Sequence, residues 1–310
     1  MKVTTVKQIH TVSDPIPLVE VHAADYQEPL IISTFGDEGA GKSYLIGTAP
    51  GDIGVIPMEA KSRAPILKAA AEFGRKVIMP EKDLIRTGNA MLIAMMPAAC
   101  VTPDKWPGMK EEDATKRAER EMEAISKDIR LDGPQPECCA RHYYRWHINR
   151  VKSVAFRMAA SDSIRTIGID TFGQFVEDML FANYGRTDRI IPLEKKSFNQ
   201  EVRDFLNAIN HKNLILTHHA AQIWVENKPT NKYKPASTFS KIGHYVNVAI
   251  KQERDRRAEL GEDEPRYTLT VLDSTANPTL IGVKLLTDEL ITFQNLAWAV
   301  FPDSDEGAWE

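Results

Sequence analysis

The sequence predicts an α/β protein, with a mainly parallel central sheet flanked by helices and carrying a helical insertion. Two apolar runs, residues 30–35 (LIISTF) and 53–58 (IGVIPM), stop abruptly at Gly36 and Glu59, as buried strands do where they enter loops. Segments of helical composition alternate with such runs, and strand–helix alternation implies parallel pairing through crossovers. A chain of 310 residues with 43% hydrophobic residues is also long enough to fill one large core.

Residues 1–28 are polar and form a separate N-terminal segment; the core is expected over residues 29–285, with a C-terminal segment at 286–310. After the first two strands, residues 64–73 have helical composition and 76–79 read as a short third strand. From about 80 to 140 the composition shifts to a Met- and Ala-rich stretch, a Pro-containing linker and a charged segment. Within it Ala114, Ala118, Met122, Ile125 and Ile129 recur at helical spacing, so this region is read as a helical insertion serving as a lid or a partner surface. Residues 141–160 form a basic helix with Arg141, Arg145, Arg150, Lys152 and Arg157. A strand at 166–169, a helix starting near Gly173, a helix over 198–209 and a strand at 213–217 continue the alternation. A polar loop at 226–243 follows, then strands at 245–250 and 267–272 that close the sheet as an antiparallel hairpin.

The formal net charge of −4 excludes a uniformly basic nucleic-acid coat, so any polyanion site must be a local cluster. The three cysteines, Cys100, Cys138 and Cys139, do not make a secreted disulfide framework and fit a reducing cytoplasm. Cys138 and Cys139 with His142 and His147 lack the ligand spacing of a zinc site. The start of the chain lacks a signal-peptide core and no window approaches the roughly 18 apolar residues of a membrane span, so a cytoplasmic protein without a membrane partner is expected.

The chemistry concentrates at residues 36–43, GDEGAGKS, which match GxxxxGK[ST] between a predicted strand and a predicted helix. Gly36, Asp37, Glu38, Gly39, Ala40, Gly41, Lys42 and Ser43, with Tyr44 adjoining, form the candidate nucleotide-binding loop. Its glycines allow backbone N–H groups to turn toward phosphates, Lys42 reaches the β/γ-phosphates, and Ser43 is a Mg²⁺ ligand. Asp170 ends an apolar strand, as a carboxylate holding the Mg²⁺ shell does, although N-capping of the next helix is a competing role. Glu59 ends the strand after the loop helix and would emerge at the same sheet edge as a base or water-orienting carboxylate, or else pair with Lys61 or Arg63 on the surface. His218 and His219 end the strand LILT at that edge; His219 is the favoured γ-phosphate sensor.

This set, GDEGAGKS, IGVIPMEA, IGIDTF and LILTHHA followed by a polar basic loop, resembles RecA-like P-loop ATPases, in particular the compact phage-encoded group associated with single-strand annealing and recombination, over residues 29–252. The resemblance implies an ATP- and Mg²⁺-dependent ATPase acting on single-stranded DNA as a homo-oligomer. In it Lys42 and Ser43 are phosphate and metal ligands, Glu59 the catalytic carboxylate, Asp170 the second metal ligand and His218 or His219 the sensor. Two features depart from that pattern: the long interval between Glu59 and Asp170, and histidine at the sensor place. Lys251 and Arg254 are candidates, by position, for a cation donated to a neighbouring subunit's site. Lys228, Lys232, Lys234 and Lys241 with Tyr233 and Phe239 are candidates for phosphate contact and base stacking. Two other classes remain open: a nucleotide-gated assembly protein with little turnover, and a phosphotransferase whose lid supplies Arg117 and Arg120.

Overall fold

A computed structural model describes residues 28–80, 108–128, 137–187, 190–225, 228–235, 239, 242–255, 267–287, 289–304 and 306–309. The expected features that fall outside these are the N-terminal segment, most of the 80–140 insertion, Ile129 and Lys241.

Nine strands are present among the described residues: β1 (Ile31–Gly36), β2 (Asp52–Pro57), β3 (Val77–Ile78), β4 (Ile164–Asp170), β5 (Asn213–Val225), β6 (Lys228–Pro235), β7 (Val248–Arg254), β8 (Tyr267–Ser274) and β9 (Lys284–Thr287). They order as β3-β2-β4-β5-β1-β7-β8-β9, with β6 paired to β5 alone. From β3 to β7 every pairing is parallel, while β7, β8 and β9 pair antiparallel. The sheet is therefore mostly parallel, as expected. β1 and β2 are buried on both faces except at their first residue, and this explains why they read as unbroken apolar runs rather than alternating ones. β7 alternates buried and half-buried residues instead.

Among the described residues the α-helices are α1 (Lys42–Gly47), α2 (Arg63–Glu72), α3 (Glu111–Asp128), α4 (Glu137–Ala159), α5 (Phe172–Tyr184), α6 (Pro192–Ile209) and α7 (Phe293–Val300). Two apolar cores cover the two sheet faces. α4, α5 and α6 meet one face through Ile148, Val151, Phe175, Met179, Phe198 and Val202. On the other, Leu45 and Ile46 of α1, Ile66 of α2, and Phe293, Leu296 and Val300 of α7 pack with Trp309. The 286–310 segment thus contributes a helix to the core, fastened by the Phe293 N–H donating to Thr48 Oγ1 at 2.8 Å. The only helix described in the insertion, α3, buries Ala114 and Ala118 of the expected stripe.

The region after Thr217 departs from expectation. Rather than ending there for a polar loop, β5 runs on to Val225 and turns back as β6, pairing Ala220 with Pro235 and Val225 with Lys228. The Thr230 hydroxyl donates to the Ile223 carbonyl at 2.6 Å across this hairpin. Phe239, expected as a stacking face, is only 1% exposed and packs in the core against Tyr245, ring centroids 5.9 Å apart. A large aromatic ring gains more from that burial than from solvent, so Phe239 is withdrawn from the candidate nucleic-acid residues. Phe239→Ala should lower unfolding free energy by about 3–5 kcal/mol, the usual cost of emptying a core aromatic site. Urea titration checks this, and a loss below about 1 kcal/mol would contradict the placement.

Candidate functional site

The carboxyl ends of β1, β2, β4, β5 and β7 lie along one edge of the sheet, where parallel α/β sheets bind ligands. In register, Gly36 of β1 pairs with His219 on one side and with Gln252 on the other, and Pro57 of β2 pairs with Asp170. The apolar strands thus deliver the 36–43 loop, Glu59, Asp170 and His219 to one place.

Backbone contact dictates the loop's first glycine. A Cβ on Gly36 would stand 1.8 Å from the Gln252 carbonyl oxygen, so no larger residue fits. Gly41 adopts φ +101°, in the left-handed region that side chains disfavour, and turns the chain into α1. The Lys42 ammonium donates to the carbonyl oxygens of Gly36 and Asp37, both at 2.7 Å. Burial holds Lys42 below the ordinary lysine value, opposed by the nearby carboxylates of Asp170, Asp37, Glu38 and Glu59. Tyr44 packs edge-on against Phe73, and its hydroxyl is raised by burial, then by Glu72 and Glu289.

Asp170 is buried, and both its carboxylate oxygens are engaged. Ser43 Oγ donates to Oδ2 at 2.6 Å and Thr217 Oγ1 donates to Oδ1 at 2.5 Å. The competing cap role falls to another residue: Thr171 is the N-cap of α5 and accepts from the Gln174 N–H at 3.4 Å. Glu59 Oε1 meets His219 Nε2 at 2.6 Å and accepts from Thr171 Oγ1 at 3.3 Å. Of the surface partners expected for Glu59, Lys61 lies 4.0 Å from Oε2 but bonds Glu38 at 3.0 Å, while Arg63 donates to the Pro80 carbonyl.

The two adjacent histidines separate by strand parity. His219 is half exposed and joins Glu59, whereas His218 is fully buried, edge-on to Phe172 at 5.7 Å, with neither ring nitrogen hydrogen-bonded among the described residues. Burial, reinforced by the charge of His219, pulls His218 down to about 3. Thr217, Thr171 and Gln252 escaped the sequence reading. Thr217 had a usable signal, because it ends LILT at the same edge; Gln252 had none, since the seventh strand was expected to stop at 250.

The other candidates are dispersed. Lys228, Tyr233 and Lys234 lie exposed on the hairpin strand β6, which also carries Lys232. Lys251 pairs with Glu253 at 2.5 Å and lies 5.4 Å over the Tyr233 ring. Arg254 lies beside Gly39 of its own chain. Arg117 and Arg120 are exposed on α3. His147 is buried 3.4 Å from Asp178, and no cluster of three metal-ligating side chains occurs among the described residues. Nor is any described helix long and apolar enough to cross a membrane.

These features define a mostly parallel α/β protein whose glycine-rich loop, two carboxylates and a histidine share one sheet edge. No family model matches the chain, and no curated protein does. Among solved structures it is similar to the crystal structure of the RadB recombinase at 11% identity, covering 86% of this chain and 91% of that one with a TM-score of 0.37. A likeness of that degree assigns no role to any residue.

The pH dependence of stability follows from His218. Its folded-state value lies far below the usual 6.5, so the unfolded chain takes up a proton that the folded chain refuses between about pH 6.5 and 3. Stability is fully present above pH 6.5 and declines by about 1.4 kcal/mol per pH unit below it. Relative to His218→Leu, the wild type should lose that amount per unit in urea titrations at pH 7, 5.5 and 4.5; parallel pH profiles would refute it.

Proposed function

We propose that this chain is a RecA-like P-loop ATPase that binds ATP with Mg²⁺ and hydrolyses it while acting on single-stranded DNA in recombination or replication, as a cytoplasmic homo-oligomer. The reading is carried by one observation: Lys42, the Ser43–Asp170 pair and the Glu59–His219 pair converge on one sheet edge around the glycine-rich loop.

In this reading the 36–43 loop wraps the phosphates with its N–H groups, and Lys42 supplies the point charge on the β/γ side. A hydroxyl and a carboxylate oxygen 2.6 Å apart are the hard donors that Mg²⁺ takes beside nucleotide phosphates, so Ser43 and Asp170 would hold the ion. Bound there, Mg²⁺ would neutralise charge on the phosphates. Glu59 orients the attacking water and accepts its proton. His219 donates to Glu59 and so fixes the carboxylate's direction. His219 lies within β5, which continues into the hairpin, so β5 links Glu59 to β6. There Lys228, Lys232 and Lys234 supply charge and Tyr233 a stacking face for a single strand.

Lys42→Ala should abolish ATP binding with the fold intact, whereas Glu59→Gln should retain binding and lose turnover by about 10²–10⁴-fold. Calorimetric ATP titration and steady-state hydrolysis, with and without single strands, test both; binding without any turnover by the wild type would favour a nucleotide-gated assembly protein. At the hairpin, three phosphate contacts at roughly 0.7 each give a slope of log affinity on log salt near −2, which replacing the three lysines by alanine should remove. Tyr233→Ala should cost about 1–3 kcal/mol in single-strand affinity. Variants that bind like the wild type across a salt series would exclude the hairpin.

A further inference from the structure

The wall of the nucleotide loop opposite β2 is made by β7. This strand runs parallel to β1 and draws level with it where Gly36 pairs with Gln252. Strand alternation sends Gln252 and Arg254 to one face, and Lys251 and Glu253 to the other. The Gln252 backbone oxygen presses on Gly36, and its side chain is 3% exposed with Oε1 accepting no hydrogen bond among the described residues. That oxygen lies 3.9 Å from where a Cβ on Gly41 would stand. Two residues further, Arg254 Nη1 lies 3.3 Å from the corresponding position on Gly39, a glycine at φ +79°. A side chain at Gly39 would thus be strained by its own backbone and crowd the guanidinium.

Resting on the nucleotide-binding reading above, we propose that Arg254 contacts the polyphosphate in cis, meeting the nucleotide held by its own chain's loop rather than a neighbour's. Charge balance supports this assignment. The loop carries two acidic residues, Asp37 and Glu38, and only one lysine, while Glu59 and Asp170 border it. A polyphosphate brought to this edge needs a second cation. Lys61 meets the loop at Glu38 in an exposed pair at 3.0 Å, and Lys251 lies on the other strand face with Glu253 and Tyr233. Arg254 lies against Gly39 of the loop, and its planar fork matches phosphate geometry as a lysine does not.

The test uses the full chain, ATP titration, and hydrolysis by mixed variants. R254A and R254Q should bind ATP about ten- to a hundredfold more weakly than wild type, with R254K between them. An equal mixture of K42A and R254A should hydrolyse ATP no faster than the two measured apart. Recovery to about a quarter of the wild-type rate, as random pairing of complementary subunits gives for a shared site, would overturn the cis assignment. Wild-type affinity in R254A and R254Q would also overturn it and leave the nucleotide reading standing. Failure of the wild type itself to bind ATP would remove both.

Discussion

The carboxylate of Asp170 is the constraint on which the sheet edge is built. It lies buried at the end of β4, and a buried carboxylate is costly unless its lone pairs are filled. Here the filling groups come from two other elements, the Ser43 hydroxyl at the start of α1 and the Thr217 hydroxyl in β5. The main-chain carbonyl of the same residue accepts the Met58 N–H at 2.6 Å and the Ser62 hydroxyl at 3.4 Å, which ties down the end of β2. One residue therefore fastens the exits of β1, β2 and β5 around β4. Lys42 completes the arrangement, its ammonium near Asp170 and gripped by the loop's own carbonyls.

What was legible in the sequence follows from burial. A parallel strand covered on both faces must be apolar throughout, so residues 30–35 and 53–58 betrayed both the strands and their exits. Gly36, Glu59 and Asp170 stand within two residues of where the apolar runs end, and the fold brings them together for that reason. The hairpin was illegible for the converse reason. From Ala220 on, β5 leaves β1 to pair with β6 alone, so its continuation depends on a partner the local sequence does not announce. Phe239 was misread because an aromatic in a Lys-rich stretch looks like a surface residue, and only the tertiary packing on Tyr245 says otherwise. The β7 strand was expected a few residues early, and this obscured the parity that turns Gln252 and Arg254 toward the loop.

The basic helix shows how charge in a sequence can be spent inside the fold. Arg141 and Arg145 of α4 direct guanidinium groups to the carbonyls of Tyr184 and Ala182, at the C-terminal end of α5. Those are carbonyls that a helix leaves without internal partners, and cations there also oppose the helix dipole. Lys152 reaches Glu201 of α6 at 2.6 Å, and Arg150 lies 4.7 Å over the Trp146 ring. Four of the five cations are thus occupied within the helix layer, joining α4 to its neighbours or lying on its own tryptophan. The net charge of this helix describes how it packs more than what it binds.

Three successive residues of β5 show how strand alternation divides labour at the edge. Thr217 points its hydroxyl to Asp170, and His219, on the same face, reaches Glu59. Between them His218 turns to the opposite face, where Phe172 and the aromatic core exclude water and keep the ring neutral. A slip of one residue would exchange these environments, burying the histidine that meets Glu59 and removing the hydroxyl from Asp170. Parallel pairing of β5 with β1, continuous from Leu214 to His219, opposes such a slip with main-chain bonds along the strand. Beyond His219 the strand pairs with β6 instead, as far as Val225, with a shift of register between Gln222 and Trp224.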